Sequence, residues 1–356
     1  MKKAQTISSL ETPAPIVDLA IAERNLKRAQ DFFDRSGTRL RPHIKTHKNV
    51  GWARRQVELG AVGITCQKLG EAEVMADGGI ADILISFPII GEDKLARLTA
   101  IAKRVAVSCV VDSAVGVSGI ARAAVDHGAD LGVMIECDVG GGRCGVQDPE
   151  TAVGIARQIA RSNRLRFEGL MTYPPLGQIL EVRNRLQAVK AAIEHAGIAV
   201  PQISIGGTPE MYRAGEYGVE TEHRPGTYIY SDRYMAARGV GTLDDCALKI
   251  IATVVSRPTG DRAVIDAGSK SLSSDSMGFP DHGVILEYPG ARLGKLSEEH
   301  GIIDLSLSPE KPAIGERITI IPNHACAVSN LFDRVYGIDR DQVERMITVD
   351  ARGRVA

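Results

Sequence analysis

Eight short β-branched runs alternate with longer segments of helical spacing over the first two thirds of the chain. The runs are Leu40–Lys45, Val62–Cys66, Ile83–Phe87, Val105–Val111, Leu131–Asp138, Phe167–Thr172, Ile203–Gly206 and Thr227–Tyr230. Between them, Ile21–Ser36, Gly70–Gly78, Ala114–His127, Thr151–Arg161 and Gln178–His195 space Leu, Ile, Val and Ala as a helix does. Parallel strands need a crossover, usually a helix, so repeated strand–helix units predict a parallel sheet, and eight of them predict a closed (β/α)8 barrel. After about Met235 the pattern changes. Ala247–Ser256, Ala263–Ala267 and Ile318–Ile321 are β-rich runs separated by Gly and Pro, which predicts a mainly antiparallel β domain. Polar residues around Arg238–Asp245 mark the boundary. The predicted division is a barrel over residues 20–236 and a β domain built from 1–19 plus 237–356.

A chain of 356 residues suits a barrel plus a smaller domain, and 44% hydrophobic with 24% charged residues describes a soluble globular protein. A formal net charge of -1 leaves no electrostatic case for nucleic acid or an anionic membrane. Aromatic residues at 4% are too few for a base-stacking platform. No run of roughly 20 apolar residues exists to span a membrane. Met1-Lys-Lys-Ala-Gln is not followed by an apolar block, so no secretory leader is expected. Six cysteines without CxxC spacing fit reduced thiols in a cytoplasm.

The run Arg41-Pro-His-Ile-Lys-Thr-His-Lys48 places Lys45 near a strand end among cationic neighbours. It reads either as a basic surface loop or as a nucleophilic lysine, since like charge and desolvation disfavour the ammonium form. Pro201-Gln-Ile-Ser-Ile-Gly-Gly-Thr-Pro209 runs from a strand into Gly206, Gly207 and Thr208, either a tight turn or a backbone cradle for phosphate. Arg224-Pro-Gly-Thr-Tyr228 opens the eighth strand candidate, with Gly226 and Thr227 available for further phosphate contacts. Arg224 then faces the barrel mouth or is solvated in a turn. Asp138-Val-Gly-Gly-Gly-Arg-Cys-Gly-Val146 holds Arg143 in a triglycine loop, which is either flexible or shaped for close approach to a ligand. In Pro322-Asn-His-Ala-Cys326, His324 and Cys326 at i and i+2 project from one side of an extended segment. They read as a buried His beside a small Cys, or as two ligands of a divalent metal with open positions.

Taken together, PHIKTHK, TCQKLGEAE (Thr65–Glu73), DVGGGRCGV, SIGGTP, RPGTY, DAGSK (Asp266–Lys270) and PNHAC resemble the D-threonine aldolase and D-serine dehydratase family, in the same order over nearly the whole chain. That resemblance implies an alanine-racemase-like barrel binding pyridoxal 5'-phosphate through an imine to Lys45. It implies Arg143 at the cofactor's phenolic oxygen, with Gln67, Tyr173 and Tyr228 in the same site and Lys45 and Tyr173 as catalytic groups. Gly206, Gly207, Thr208, Gly226 and Thr227 would hold the phosphate, and Arg224 would face the pyridine nitrogen. His324 and Cys326 would bind a divalent metal, zinc ahead of manganese or magnesium, beside the substrate's β-hydroxyl. The implied assembly is a homodimer.

Aldolases of this family follow the sixth-strand tyrosine with a His-bearing stretch, whereas Tyr173-Pro-Pro-Leu-Gly-Gln178 has none. His-Ala-Cys resembles the metal pair of dehydratases, while the triglycine loop resembles aldolases. The expected activity is therefore a metal-assisted lyase on β-hydroxy-D-amino acids, with D-threonine-type aldol cleavage first. Dehydration of D-serine or D-3-hydroxyaspartate to a 2-oxo acid and ammonia is the alternative, and an amino-acid racemase comes third. A non-enzymatic pyridoxal carrier would be a single-domain barrel, and the β domain counts against it.

Overall fold

The computed structural model describes residues 5–356, so residues 1–4 of the predicted β domain lie outside the described residues. The chain falls into two compact units. One comprises Ala29–Lys45, Val50–Gly226 and Arg354–Ala356, and the other comprises the described residues through Arg28, Thr46–Asn49 and Thr227–Gly353.

The first strand, β1 (Ala14–Asp18), belongs to the second unit, and the next eight form the barrel. These are β2 (Arg39–Leu40), β3 (Ile64–Cys66), β4 (Asp82–Pro88), β5 (Ala106–Val111), β6 (Leu131–Glu136), β7 (Leu165–Met171), β8 (Ile203–Ile205) and β9 (Glu222–His223). All pair in parallel, in the order β2-β9-β8-β7-β6-β5-β4-β3. The edges meet where Val62 N donates to Leu40 O (2.9 Å) and Thr65 N to Pro42 O (2.7 Å).

Two predicted strands are corrected. The first is shorter in regular form than Leu40–Lys45 because Pro42 has no N–H to offer a ladder. Its pairing nevertheless continues, through Arg41 N to His223 O and His43 N to Pro225 O, both 2.9 Å. The eighth strand is Glu222–His223, whereas Thr227–Ile229 forms a 3-10 turn. Sequence reading passed over Glu-His because two ionisable residues seldom make a fully buried strand, and both are buried here. The expected helices are present, with Leu19–Ser36 starting two residues earlier than predicted, and Val50–Leu59 and Glu92–Ala102 complete the alternation.

Leu84, Val110, Met134 and Met171 pack together as an apolar waist. At the strands' N-terminal ends lies a polar floor, where Arg41 binds Asp82 (2.5 Å) and Glu222 (2.8 Å) and Ser108 donates to Glu168. A cavity of about 370 Å³ opens there. Gly132 makes room for this layer, since a Cβ at that position would lie 2.4 Å from the Glu168 carboxyl. Gly169 is needed for a different reason: its φ is +119° and a Cβ would fall 1.9 Å from the carbonyl oxygen of Gln202, the residue before β8. Gly169→Ala is therefore expected to cost ~3 kcal/mol or more in chemical denaturation, and a loss below ~1 kcal/mol would contradict the packing described.

The second unit is built on one sheet. Its later strands are β10 (Leu248–Thr259), β11 (Arg262–Ile265), β12 (Val284–Ile285), β13 (Arg292–Leu296), β14 (Gly301–Asp304), β15 (Arg317–Ile321), β16 (Arg334–Asp339) and β17 (Gln342–Thr348). The order is β13-β14-β11-β10-β1-β16-β17, with β15 beside β10 and β12 beside β15. Every pair is antiparallel except β1 with β16. Leu10, Ala14, Ile16, Ile251 and Ile338 form a core cluster against it. No helix among the described residues is long and apolar enough to cross a membrane.

Candidate active site

In an open-ended parallel barrel, reactive groups gather where the strands end at their C-termini. Lys45 follows β2 in the 3-10 turn Ile44–Thr46, its N–H donating to His43 Nδ1 (3.3 Å). Lys45 is exposed, while Arg41, His43, Ile44, Thr46, His47 and Lys48 around it are buried. The partly desolvated ammonium expected from sequence is thus not what this arrangement presents. The neighbouring cations are held elsewhere, Arg41 by Glu222 and Asp82 and Lys48 by Asn330 (2.8 Å). Gln67, after β3, meets His43 Nε2 through Oε1 (3.1 Å) and donates to Ser86 O (3.1 Å).

The triglycine loop after β6 is pinned rather than slack. Asp138 Oδ1 accepts from the N–H groups of Gly140 (3.0 Å), Gly141 (2.8 Å) and Gly142 (3.1 Å). Gly140 and Gly142 take φ of +111° and +65° to allow it. Burial works to raise the Asp138 pKa, but the Gln147 and glycine hydrogen bonds outweigh it and hold the carboxyl below its ordinary value. The loop delivers Arg143, whose guanidinium carbon lies 5.1 Å from the Tyr173 ring centroid. Arg143 Nη2 also lies 3.7 Å from Glu136 Oε1. Glu136 is buried, its Oε2 has no hydrogen-bond partner, and burial raises its pKa against the pull of Arg143 and Arg224.

After β8 the backbone is bare. A Cβ on Gly207, at φ +148°, would stand 3.2 Å from the Tyr173 ring, and one on Gly206 would stand 2.9 Å from Arg224 Cβ. Thr208 Oγ1 accepts from Gly226 N (3.0 Å), which brings these two predicted phosphate segments together. Tyr173 is half exposed at 44% and is joined with Gly206 and Gly207 around one small cavity. Arg224 is not solvated in a turn. It is buried, donating from Nη1 to Ser204 Oγ (2.7 Å) and from Nη2 to Thr172 O (2.7 Å). Burial lowers its pKa to about 10 although Glu222 and Glu136 oppose the shift.

Within the second unit, Thr227 and Tyr228 are buried, and the Thr227 hydroxyl lies 3.4 Å from Cys326 Sγ. Thr46, next in sequence to Lys45, places its hydroxyl 3.0 Å from the same sulfur. His324 and Cys326 interact, but not along an extended segment as predicted. His324 is the N-cap of the five-residue helix Ala325–Ser329, because the buried Asp232 carboxylate accepts Ala325 N–H (2.9 Å) and starts the turn. His324 Nδ1 meets Asp275 Oδ2 at 2.6 Å. Burial works to lower the His324 pKa, but the Cys326 and Asp275 interactions prevail and push it up to about 9. Among the described residues no cluster of three His, Cys, Asp or Glu side chains forms a metal cage.

Sequence reasoning did not single out Asp138, Glu136, Ser204, Glu222, Thr46, Asp232 or Asp275. Asp138 alone carried a signal, standing two residues before the glycines it binds. The others act across the fold, and no local spacing marks them.

Comparison with known proteins agrees with this architecture. Residues 17–234 match the alanine racemase N-terminal domain and 247–338 a serine dehydratase domain. D-threonine aldolase of Arthrobacter sp is 35% identical over 98% of this chain and 94% of its own length. D-threonine aldolase from Filomicrobium marinum superposes with a TM-score of 0.92 at 33% identity, covering 100% of both chains. A Cys-to-Ala mutant of D-threo-3-hydroxyaspartate dehydratase, in its metal-free form, gives a TM-score of 0.87 at 30% identity, covering 97% of this chain and 98% of that one. With the barrel, the β sheet and these matches in agreement, the chain belongs to the alanine-racemase-like family of D-threonine aldolases and D-serine dehydratases.

Proposed function

We propose that this protein is a pyridoxal-phosphate-dependent, metal-assisted lyase of β-hydroxy-D-amino acids, with D-threonine-type cleavage to glycine and an aldehyde as its main reaction. The observation that carries the reading is Lys45 standing exposed at the end of β2 while every neighbour in its run is buried. The bare backbone at Gly206 and Gly207 fits a phosphate, because side chains there would fill the space. Lys45 would hold the cofactor covalently, and Gly206, Gly207, Thr208, Gly226 and Thr227, with Tyr228 beside them, would hold its phosphate. Gln67, Arg143 and Tyr173 would line the ring, and Arg224 would face the ring nitrogen. The bound group supplies an electron sink for charge developing at the substrate Cα.

The chain's own residues decide which bond breaks. Arg143, fixed by the Asp138 loop, and Tyr173 orient the bound amino acid. Lys45 would be the base for a Cα proton in the eliminating reaction, whereas proton loss from the β-hydroxyl instead of from Cα would give Cα–Cβ cleavage. His324 and Cys326 would hold the cation, and a thiolate beside an imidazole selects zinc over manganese or magnesium. Such a cation supplies Lewis-acid polarisation of the β-hydroxyl. The cofactor barrel is assigned to residues 20–236 and the metal pair to the β domain of 1–19 plus 237–356. The assembly is a homodimer, checked by light scattering.

Dehydration is the second reading, favoured by Cys326, since the Cys-to-Ala dehydratase mutant is the one in metal-free form. Product analysis with D-threonine, D-serine and D-threo-3-hydroxyaspartate, with and without chelator, separates the two. Glycine plus aldehyde supports cleavage. A 2-oxo acid plus ammonia replaces it with dehydration, and neither product overturns the lyase.

A further inference from the structure

A continuous string of hydrogen bonds runs inside the barrel beside its apolar waist. Arg41 Nε donates to Glu222 Oε2 (2.8 Å), and Ser204 Oγ donates to Glu222 Oε1 (2.6 Å). Arg224 Nη1 donates to Ser204 Oγ (2.7 Å), and its Nη2 is fixed by Thr172 O (2.7 Å). Glu222 and Ser204 are fully buried, with Arg224 and Arg41 only 6% and 8% exposed. The direction of every bond is dictated by chemistry. Neither guanidinium can accept and an ionised carboxylate cannot donate, so the serine hydroxyl must point at Glu222 and receive from Arg224.

We propose that Glu222, acting through Ser204, is a positioning residue for Arg224, fixing the guanidinium in the orientation in which it faces the ring nitrogen of the cofactor. The inference rests on the cofactor reading above. A buried guanidinium with one anchored edge still pivots about its last torsions, and a pivot moves its remaining N–H groups away from any fixed target. Here two edges are anchored. The Thr172 carbonyl holds one nitrogen, and the serine, its hydroxyl locked by Glu222, holds the other. Arg41, itself held by Asp82, in turn restrains Glu222, so the string is anchored at the floor. The acidic groups acting on Arg224 are Glu222, Glu136 and Glu220, and Arg41 opposes them, so removing Glu222 changes both its geometry and its electrostatic surroundings.

The test uses the holoenzyme loaded with pyridoxal phosphate labelled with ¹⁵N in the ring. The nitrogen resonance reports the Arg224 contact, and the ³¹P resonance reports the phosphate cradle. Ser204→Ala is expected to displace the nitrogen resonance and leave the phosphorus resonance in place. It should lower kcat on the order of tenfold with KM within about threefold, and Ser204→Thr should restore most of the loss. Glu222→Gln should displace the nitrogen resonance in the same direction. Should that variant fail to fold, Ser204→Ala decides alone. Wild-type nitrogen resonance and kcat in Ser204→Ala would overturn the proposal. An unmoved nitrogen resonance in Arg224→Lys would also overturn it, by removing Arg224 from the ring, while the lyase reading survived. Failure of borohydride to fix the cofactor on wild-type Lys45 would instead defeat the functional reading itself.

Discussion

Lys45→Ala is expected to lower kcat by at least about 10⁴-fold, equivalent to ~5.5 kcal/mol of barrier, because on the proposed function this side chain would supply the covalent cofactor linkage on which either reaction depends. The barrel should be unaffected, since Lys45 is exposed and its side chain joins no ion pair of the floor. Borohydride treatment of the wild-type protein followed by peptide mapping should place the pyridoxyl group on Lys45. Label on Lys48 or Lys270 would move the linkage. Lys48 is a poor candidate because its Nζ is committed to Asn330, and Lys270 because it pairs with Glu299 at 2.6 Å.

Removing the proposed metal, by chelation or by Cys326→Ala, should reduce kcat on the order of 10³-fold, the scale of ~4 kcal/mol of Lewis-acid assistance. The cofactor's visible absorbance should persist. A distinct pH signature accompanies this. In the metal-free site His324 keeps its proton up to about pH 9, so a cation must displace that proton to bind. Apparent affinity should therefore climb about tenfold per pH unit and level off above about pH 9. The stability of the metal-free protein should run the other way. A raised histidine pKa contributes stability that is complete below the unfolded value of about 6.5 and lost as pH rises through about 9. Titration of metal binding by calorimetry across this range checks the first trend, and melting temperature of the chelated protein checks the second. Affinity independent of pH would remove His324 as a ligand.

The barrel was legible because its periodic signal is local: an apolar run followed by a helical stripe announces itself within one unit. Six of its strands read correctly on that basis, and the first was placed correctly but drawn too long. Glu222–His223 did not, because the burial of Glu222 depends on Arg41 and Ser204 across the fold, while His223 is held between Glu220 and the Gly207 carbonyl (2.9 Å). The same contrast divides the site. Glycine pairs and the PHIKTHK run mark themselves, since bare backbone and clustered cations are unusual wherever they occur. The carboxylates that shape those groups do not. Glu136 and Glu222 look like ordinary acidic residues until the fold buries them, and Asp275 reaches His324 only through tertiary structure. The β sheet was read from its apolar interior strands, while Val284–Ile285 is too short to show alternation and Gln342–Thr348, seven residues long, is mostly exposed and polar and so carries no apolar run.

The seat that Gly132 leaves for Glu168 constrains the routes by which such a barrel can change. A side chain at 132 would collide with the carboxylate at 168, and Glu168 is itself engaged by Ser108 and Arg166. The two positions are therefore tied in order as well as in kind. Alanine at 132 is accommodated either by a glutamate already shortened or by Glu168 swinging aside and giving up its contacts to Ser108 and Arg166. Gly132→Ala should therefore cost less in a Glu168→Ser background than on its own, so a library that varies the floor one position at a time reaches the pair most readily through the shortened glutamate.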